Sequence, residues 1–530
     1  MALDRICAAL LLLAGMGASS LAALADDAGF DVSRQIGPNP YLPEPDPPLI
    51  ANMKIAEVVG WTDGATPAVP EGLKVSAYAT DLANPRTVHT LPNGDVLVVQ
   101  ARGPGGETVS RPKDIIRGWI MSIAHGGGGA KRDSNIITLL RDTDRDGSVD
   151  ERHDLLKELN SPFGVAWIDD KLYVAATDAI LVYPYSLGQT SIATEPEILT
   201  PLPGGPINHH WTKDLALSPD GEHLFVSVGS NSNIAENGIE AEKGRAAIWK
   251  VDRTTGASRV YASGLRNPNG LSFQPETREL WTVVNERDEL GPNLVPDYLT
   301  SVKEGAFYGW PWSYFGEHVD ERVMPRRPDM VEKAVMPDYA LSSHVAPLGM
   351  TFTSRSAMPE EFGSGAFVGE HGSWNRERFN GYKVVYIPFE NGAPSGMARD
   401  VVTGFLDGDQ AQGRPVGLAI DGTGALLIAD DAGNTVWRVS AADGSMTDEP
   451  LGSDQIPGVA RMMPASTETS PADAGRQQGE ATSVPTPGAA ETASSPSSTN
   501  EEPSGAEPGE DTAARPAPTQ QMDVAPAVNP

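Results

Sequence analysis

Thiols are almost absent from this chain. Its one cysteine, Cys7, lies within the first 25 residues, where Arg5 precedes an apolar run from Ala8 to Ala14 and Ala23-Leu24-Ala25 precedes Asp26. That order of positive residue, apolar core and small-residue site reads as a secretory signal over 1–25. Its apolar part is too short, and its second half too interrupted by Gly and Ser, to read as a bilayer span. Cleavage would leave no cysteine, which excludes disulfides, thiolate metal sites and haem attachment in the mature chain. Positive charge is scarce too. The 40 Lys and Arg are outnumbered by 71 Asp and Glu, for a formal net charge of −31, which argues against nucleic acid or an anionic membrane surface as partner. The expected location is the periplasm or the outside of the cell.

Turn formers are abundant, with 55 Gly and 45 Pro in 530 residues, and they favour many short strands over long helices. Residues 26–70 carry Pro38, Pro40, Pro43, Pro45, Pro47 and Pro48 and read as an extended arm that wraps the domain. From 445 to 530 the sequence turns to Ala, Ser, Thr, Pro and Glu with few large apolar residues. Such a composition buries too little surface to offset its ordering entropy, so disorder is expected there.

Between arm and tail, over 71–444, runs a repeat. Each unit opens on a segment close to Pro-x-Gly-apolar-x-apolar: NPRTVHT (84–90), SPFGVAW (161–167), NPNGLSF (267–273), APLGMTF (346–352) and RPVGLAI (414–420), with HWTKDLAL (210–217) in the same place in a sixth unit. A second short strand follows each, such as DVLVVQ at 95, HLFVSVG at 223 and ALLIADD at 425. Turns such as Pro92-Asn93-Gly94 and Pro219-Asp220-Gly221 join the two. Six regularly punctuated units predict an all-β, six-bladed β-propeller. The strand LKVSAYA (73–79) has no blade of its own, and pairing it with the last blade would remove exposed edges.

In a propeller the residues just before the innermost strands converge on one mouth of the axis. Here they include Arg86, His210, Arg266 with Asn267, His344 and Arg414. Singly, each reads as a blade-end cap or salt bridge. Together they suit a polycarboxylate ligand, because guanidinium groups pair with carboxylates in bidentate fashion.

GLRNPNGLSF (264–273), VNERDELG (284–291), YGWP (308–311), AFVGEHGSWNR (366–376) with GYKVV (381–385), and GRPVGLAIDGTGALLIADDAGNTVWRV (413–439) together resemble the quinoprotein sugar dehydrogenases, in particular the branch of sorbosone dehydrogenases and soluble glucose dehydrogenase-like proteins. The resemblance covers about residues 40–440. It implies a propeller holding pyrroloquinoline quinone (PQQ) and Ca²⁺ over the channel mouth, and oxidation of an aldose or aldehyde hydrate with electrons passed to a separate acceptor. By the same resemblance Arg266 and Asn267 match the cofactor-binding Arg-Asn pair, Arg266 also serving as the electrophilic partner of the quinone carbonyl. Arg414 matches a second arginine, and Trp374, Asn375 and Arg376 lie where the family has a basic cofactor contact. His210 falls at the family's general-base position. A histidine suits that role near neutral pH, and its neighbour His209 stays a candidate because adjacent residues at a strand start point in opposite directions.

Ca²⁺ takes hard oxygen ligands, often carbonyls, and the resemblance places these at Glu286, Arg287 or Asp288. A separate run, Asp142, Asp144, Asp146, Gly147 and Asp150, has the spacing of an EF-hand loop start, with His153 where the bidentate Glu would stand. It reads either as a structural Ca²⁺ site or as an acidic surface turn. Two other classes of function compete: a Ca²⁺-dependent lactonase, which needs acidic and amide side chains on an axis that here reads as Arg, His and Asn, and a non-enzymatic propeller that binds glycans or proteins.

Overall fold

The computed structural model describes residues 29–47, 53–62, 64–104, 134–205 and 207–447. The expected signal at 1–25 and nearly all of the 445–530 tail lie outside them. Within the described residues the chain is nearly all β, its helices limited to Pro328–Val331 and three 3₁₀ turns.

Six antiparallel sheets follow one another along the chain. The first is Pro85–Thr90, Val96–Gln100, Ile136–Arg141 and Glu151–Leu156. The second is Val165–Ile168, Lys171–Ala175, Ala179–Pro184 and Glu197–Pro201. The third is Leu215–Leu217, His223–Val228, Ala247–Asp252 and Ser258–Ser263. The fourth is Pro268–Phe273, Leu280–Val284, Pro296–Ser301 and Tyr339–Ser343. The fifth is built on Pro347–Phe352, Gly365–Glu370, Lys383–Glu390 and Arg399–Val402. The sixth is Pro415–Ile420, Leu426–Asp430 and Thr435–Ala441, completed by Leu73–Ala79 from the N-terminal side. Leu73 pairs with Ala441 and Val75 with Val439, so the strand that lacked a unit of its own closes the last one.

Each predicted opening segment overlaps the first strand of a sheet, containing it whole in every sheet but the second, where Val165–Ile168 runs one residue past. All six first strands line one internal cavity, among them Val88, Val165, Leu215, Leu271, Met350 and Leu418, which is the arrangement of a β-propeller. The glycine of the repeat has a packing reason. A Cβ on Gly164 would collide with Leu215 N, on Gly270 with Met350 N, on Gly349 with Val416 O and on Gly417 with Arg86 O. These contacts join sheet two to three, four to five, five to six and six to one, so glycine is used where neighbouring first strands come backbone to backbone.

The outer strands bury the apolar mass between sheets. Trp281, Val283 and Leu299 of the fourth sheet share a core with Phe352, Val368 and Ile387 of the fifth, and the rings of Trp281 and Phe389 meet edge to face at 5.1 Å. Truncating Phe367, which has no exposed surface, to alanine would cost about 3–5 kcal/mol.

Two short strands from within residues 26–70 pair with later ones. Ile36–Gly37 adds a fifth strand to the fourth sheet beside Tyr339–Ser343, and Glu57–Val58 pairs in parallel with Gln410–Ala411. Among the described residues no helix is long and apolar enough to cross a membrane.

Candidate functional site

The residues ahead of the first strands do converge. A cavity of about 990 Å³ is lined by His209 and His210 (ahead of sheet three), Arg266 and Asn267 (four), His344 and Ala346 (five) and Arg414 (six). Arg86 is not among the lining residues. It is ion-paired to Asp431, which is.

Arg266 is the most heavily bonded of them. Its Nε donates to Asn233 O (3.2 Å), Nη1 to Asn285 O (3.1 Å) and Glu286 O (2.7 Å), and Nη2 to Asn233 Oδ1 (2.9 Å) and Asp288 Oδ2 (3.0 Å). All five N–H donors of the guanidinium are thus directed at protein acceptors. Its charge is balanced by a buried carboxylate, so Arg266 brings a fixed dipole to the cavity more than a spare cation.

Two acceptors fix the tautomer of His210. Nδ1 lies 3.0 Å from Ser230 O and 2.9 Å from Ser230 Oγ, and the Ser230 hydroxyl donates its own proton to Ser232 O at 2.6 Å. Both atoms facing Nδ1 therefore accept, Nδ1 carries the hydrogen, and in the neutral ring the lone pair is on Nε2. His209 is exposed and also lines the cavity.

On the far wall His371 Nε2 faces both carboxylate oxygens of Asp431, at 3.0 and 3.1 Å. Burial pushes the imidazole down to about 4, so a neutral ring donates to a carboxylate whose charge Arg86 balances. Arg414 donates from Nη2 to Tyr382 OH (2.7 Å) and is paired with no carboxylate among the described residues. Its Nε is buried without a hydrogen-bond partner. Of the expected cations that line the cavity, Arg414 has no ion pair among the described residues, although its charge also acts on Asp431.

The Trp374-Asn375-Arg376 segment splits. Trp374 lines the cavity. Asn375 donates to Asp288 Oδ1 (2.8 Å), holding the carboxylate that holds Arg266. Arg376 turns away, to Ser343 Oγ (2.7 Å) and Asn293 Oδ1 (2.9 Å), and does not line the cavity.

The three candidate carbonyl residues form a dense knot. Glu286 O is taken by Arg266, and Asp288 O accepts from Arg287 Nε (3.0 Å) and Nη2 (2.5 Å). The Arg287 side chain is itself buried against Asp320 at 2.5 Å. Side-chain oxygens are better placed than these carbonyls. Glu286, Asp288 and Asp297 line the cavity beside Asn267 and Asn285, and Glu286 Oε1 and Asn267 Oδ1 are buried without a partner. Burial raises the Glu286 carboxyl to about 7, with Arg287 N–H and Arg266 opposing, and raises Asp297 well above the usual range. Glu286, Asp288, Asn267 and Asn285 stand in the sequence motifs, but Asp297 does not. Asp297 sits inside a strand, where an acid has no local signature. His371 lies in the quoted AFVGEHGSWNR and Asp431 in the quoted ADDAGN, and only their meeting gives either a role.

Asp142, Asp144, Asp146 and Asp150 fall in the hairpin between the third and fourth strands of the first sheet. Carboxylate oxygens of the first three lie within 4.8 Å of one another, and Gly147 N donates to Asp142 Oδ2 at 2.8 Å. Asp150 instead accepts from Thr143 N and Oγ1. His153 faces Glu151 at 3.2 Å, within the next strand.

Residues 173–381 match the family model described as Glucose / Sorbosone dehydrogenase, and residues 329–442 one described as TrAA12-like. The resemblance read from the motifs is borne out over the first of these stretches. An uncharacterised protein of Borreliella burgdorferi is 29% identical over 298 residues, 54% of this chain and 77% of that protein. A pyrroloquinoline quinone-dependent pyranose dehydrogenase of Coprinopsis cinerea is 25% identical over 297 residues, 44% of this chain but only 40% of that longer protein. The holo form of its PQQ domain superposes with a TM-score of 0.57 at 19% identity, over 73% of this chain and all of that domain. At that identity the likeness speaks for the fold.

Proposed function

We propose that the chain is a six-bladed propeller dehydrogenase, one blade per sheet, that binds PQQ and Ca²⁺ at the cavity. It oxidises an aldose or sugar aldehyde at C1 and passes the electrons to a separate acceptor. The observation that carries this reading is His210, whose Nδ1–H is committed to Ser230 so that the basic nitrogen is Nε2, on a cavity that also presents Arg414 and Asn267. The named cofactor of the Coprinopsis relative supports the same reading.

The residues fit a flat tricarboxylate. Arg414 has a buried Nε without a partner, the Asn267 amide oxygen likewise, and the cavity is within the size range of cofactor sites. Arg414, Asn267 and Trp374 would hold the cofactor, while Arg266, its N–H donors committed to the protein, would act through the field of its ion pair with Asp288. PQQ, when bound, supplies a quinone that accepts hydride from C1. His210 Nε2 takes the proton of the C1 hydroxyl as general base. Ca²⁺ would be held by oxygens of the 286–288 knot, with the Glu286 carboxylate, whose Oε1 has no partner, offered ahead of carbonyls already bonded to arginine. A second Ca²⁺ would sit on Asp142, Asp144 and Asp146, with Asp150 closing the loop. Export through residues 1–25 to the periplasm or the medium completes the proposal.

The test is reconstitution. Protein loaded with PQQ and Ca²⁺ should show the quinone absorption band and reduce an artificial acceptor with aldoses or aldehydes, without nicotinamide cofactor. Cofactor occupancy with no turnover across a broad panel would sink it. A Ca²⁺-dependent lactonase is kept as a second reading because Glu286, Asp288, Asp297, Asn267 and Asn285 all line the cavity. It predicts lactone hydrolysis with Ca²⁺ and without PQQ.

A further inference from the structure

One wall of the cavity comes from outside the six sheets. Ile55, Ala56, Val58, Trp61, Ala65 and Thr66 of the N-terminal arm line it, facing the side that carries His210. The arm is fixed there across sheets five and six. Lys54 N donates to Trp374 O (3.0 Å), and Val59 N to Ala411 O (2.9 Å). Lys54 Nζ is ion-paired with Asp409 at 2.7 Å.

Trp61 is the anchor. Its indole N–H donates to Asp430 Oδ2 at 2.7 Å, and its ring meets Trp437 at 5.0 Å and Phe405 at 5.6 Å edge to face. A Cβ on Gly433 would collide with the indole, so the sixth sheet leaves room for this side chain. The same Asp430 accepts from Arg414 N at 2.7 Å through its other oxygen. One buried carboxylate therefore ties the arm to the backbone of the cation best placed to meet an anionic ligand.

We propose that residues 53–62 and 64–66 are the specificity-determining wall of this cavity, with Trp61 as the positioning residue that holds them, and that the wall restricts the site to short saccharides. This rests on the sugar-dehydrogenase reading. The ring of first strands has loops of its own around the mouth. The arm covers the side towards sheets five and six, and a substrate extended beyond one sugar ring in that direction would meet it.

Two variants test the wall from opposite sides, with Ala65→Trp adding bulk to it and Trp61→Ala removing its anchor. Calorimetric titration of a monosaccharide and its disaccharide into PQQ-free and PQQ-loaded protein gives affinities independent of turnover, and dye reduction gives kcat/KM for each sugar. Ala65→Trp is expected to lower the disaccharide-to-monosaccharide ratio at least tenfold, and Trp61→Ala to raise it at least fivefold, with PQQ affinity in Ala65→Trp within twofold of wild type. Should Trp61→Ala fail to fold, Ala65→Trp alone decides. Unchanged ratios in a wild type and Ala65→Trp that both bind PQQ and sugar overturn the wall and leave the dehydrogenase reading standing. A wild type that takes up neither PQQ nor sugar overturns both.

Discussion

Arg266 and Asp288 form an ion pair at 3.0 Å with side chains only 5% and 11% exposed, and each is held by further partners. Asn233 receives from Arg266 through both its carbonyl and its side-chain oxygen, and Asn375 donates to the other oxygen of Asp288. The pair is part of the scaffold of the site as well as of its lining.

Arg266→Ala should therefore act on stability before it acts on ligand. Removing one partner of a buried pair leaves an uncompensated charge and costs about 3–5 kcal/mol. Chemical denaturation should show that loss without cofactor present, and PQQ affinity should fall as well. The double variant Arg266→Met with Asp288→Leu should recover part of the stability and none of the PQQ affinity. A single variant as stable as wild type would show that the pair contributes nothing to the fold.

His210→Ala should lower kcat roughly 10²- to 10⁴-fold, the usual size of general-base catalysis, while PQQ still binds. His209→Ala should leave turnover near wild type. Ser230→Asp places a carboxylate where a hydroxyl now faces Nδ1, which favours the imidazolium, so the acid limb of the pH–rate profile should move up by about one unit. A fall in turnover with His209→Ala and none with His210→Ala would shift the base by one residue.

Glu370 gives a pH signature in stability. The residue is 3% exposed, its Oε2 has no hydrogen-bond partner, and burial raises its carboxyl to about 8, against the pull of Lys383. The folded chain holds this proton while the unfolded chain releases it at the ordinary value of 4.5. Folding thus binds more protons, and the contribution is complete below 4.5 and is lost as pH rises towards 8. Glu370→Gln should gain thermal midpoint over wild type at pH 8 and little at pH 4. Parallel midpoint curves over that range would contradict the assignment.

Calcium should stabilise the protein through the first-sheet hairpin independently of catalysis. A ligand that binds only the folded state adds about 2.7 kcal/mol at a concentration one hundred times its Kd. A Ca²⁺-dependent rise in Tm should survive His210→Ala and shrink in the double variant Asp142→Asn with Asp144→Asn. An unchanged rise in that variant would leave the hairpin as an acidic turn.

The local rules of the chain settled a good deal. Proline and glycine at fixed spacing ahead of apolar residues mark the first strands of the second, fourth, fifth and sixth sheets, because turn chemistry and a period of two are properties of neighbouring residues. Once the first strands share a ring, the residues ahead of the third, fourth, fifth and sixth sheets reach its rim, His210, Arg266, Asn267, His344 and Arg414 among them, while Arg86 does not. Those residues could be named from sequence, but their partners could not. Trp61 meets Asp430 across 369 residues and His371 meets Asp431 across 60, and neither pairing leaves a local trace. Whether Arg266 offers its charge or spends it on Asp288, and whether the arm merely wraps or walls the cavity, depends on which distant segments share one desolvated volume. Only ring closure and burial decide that, because a buried charge or donor must find its partner wherever the fold brings one.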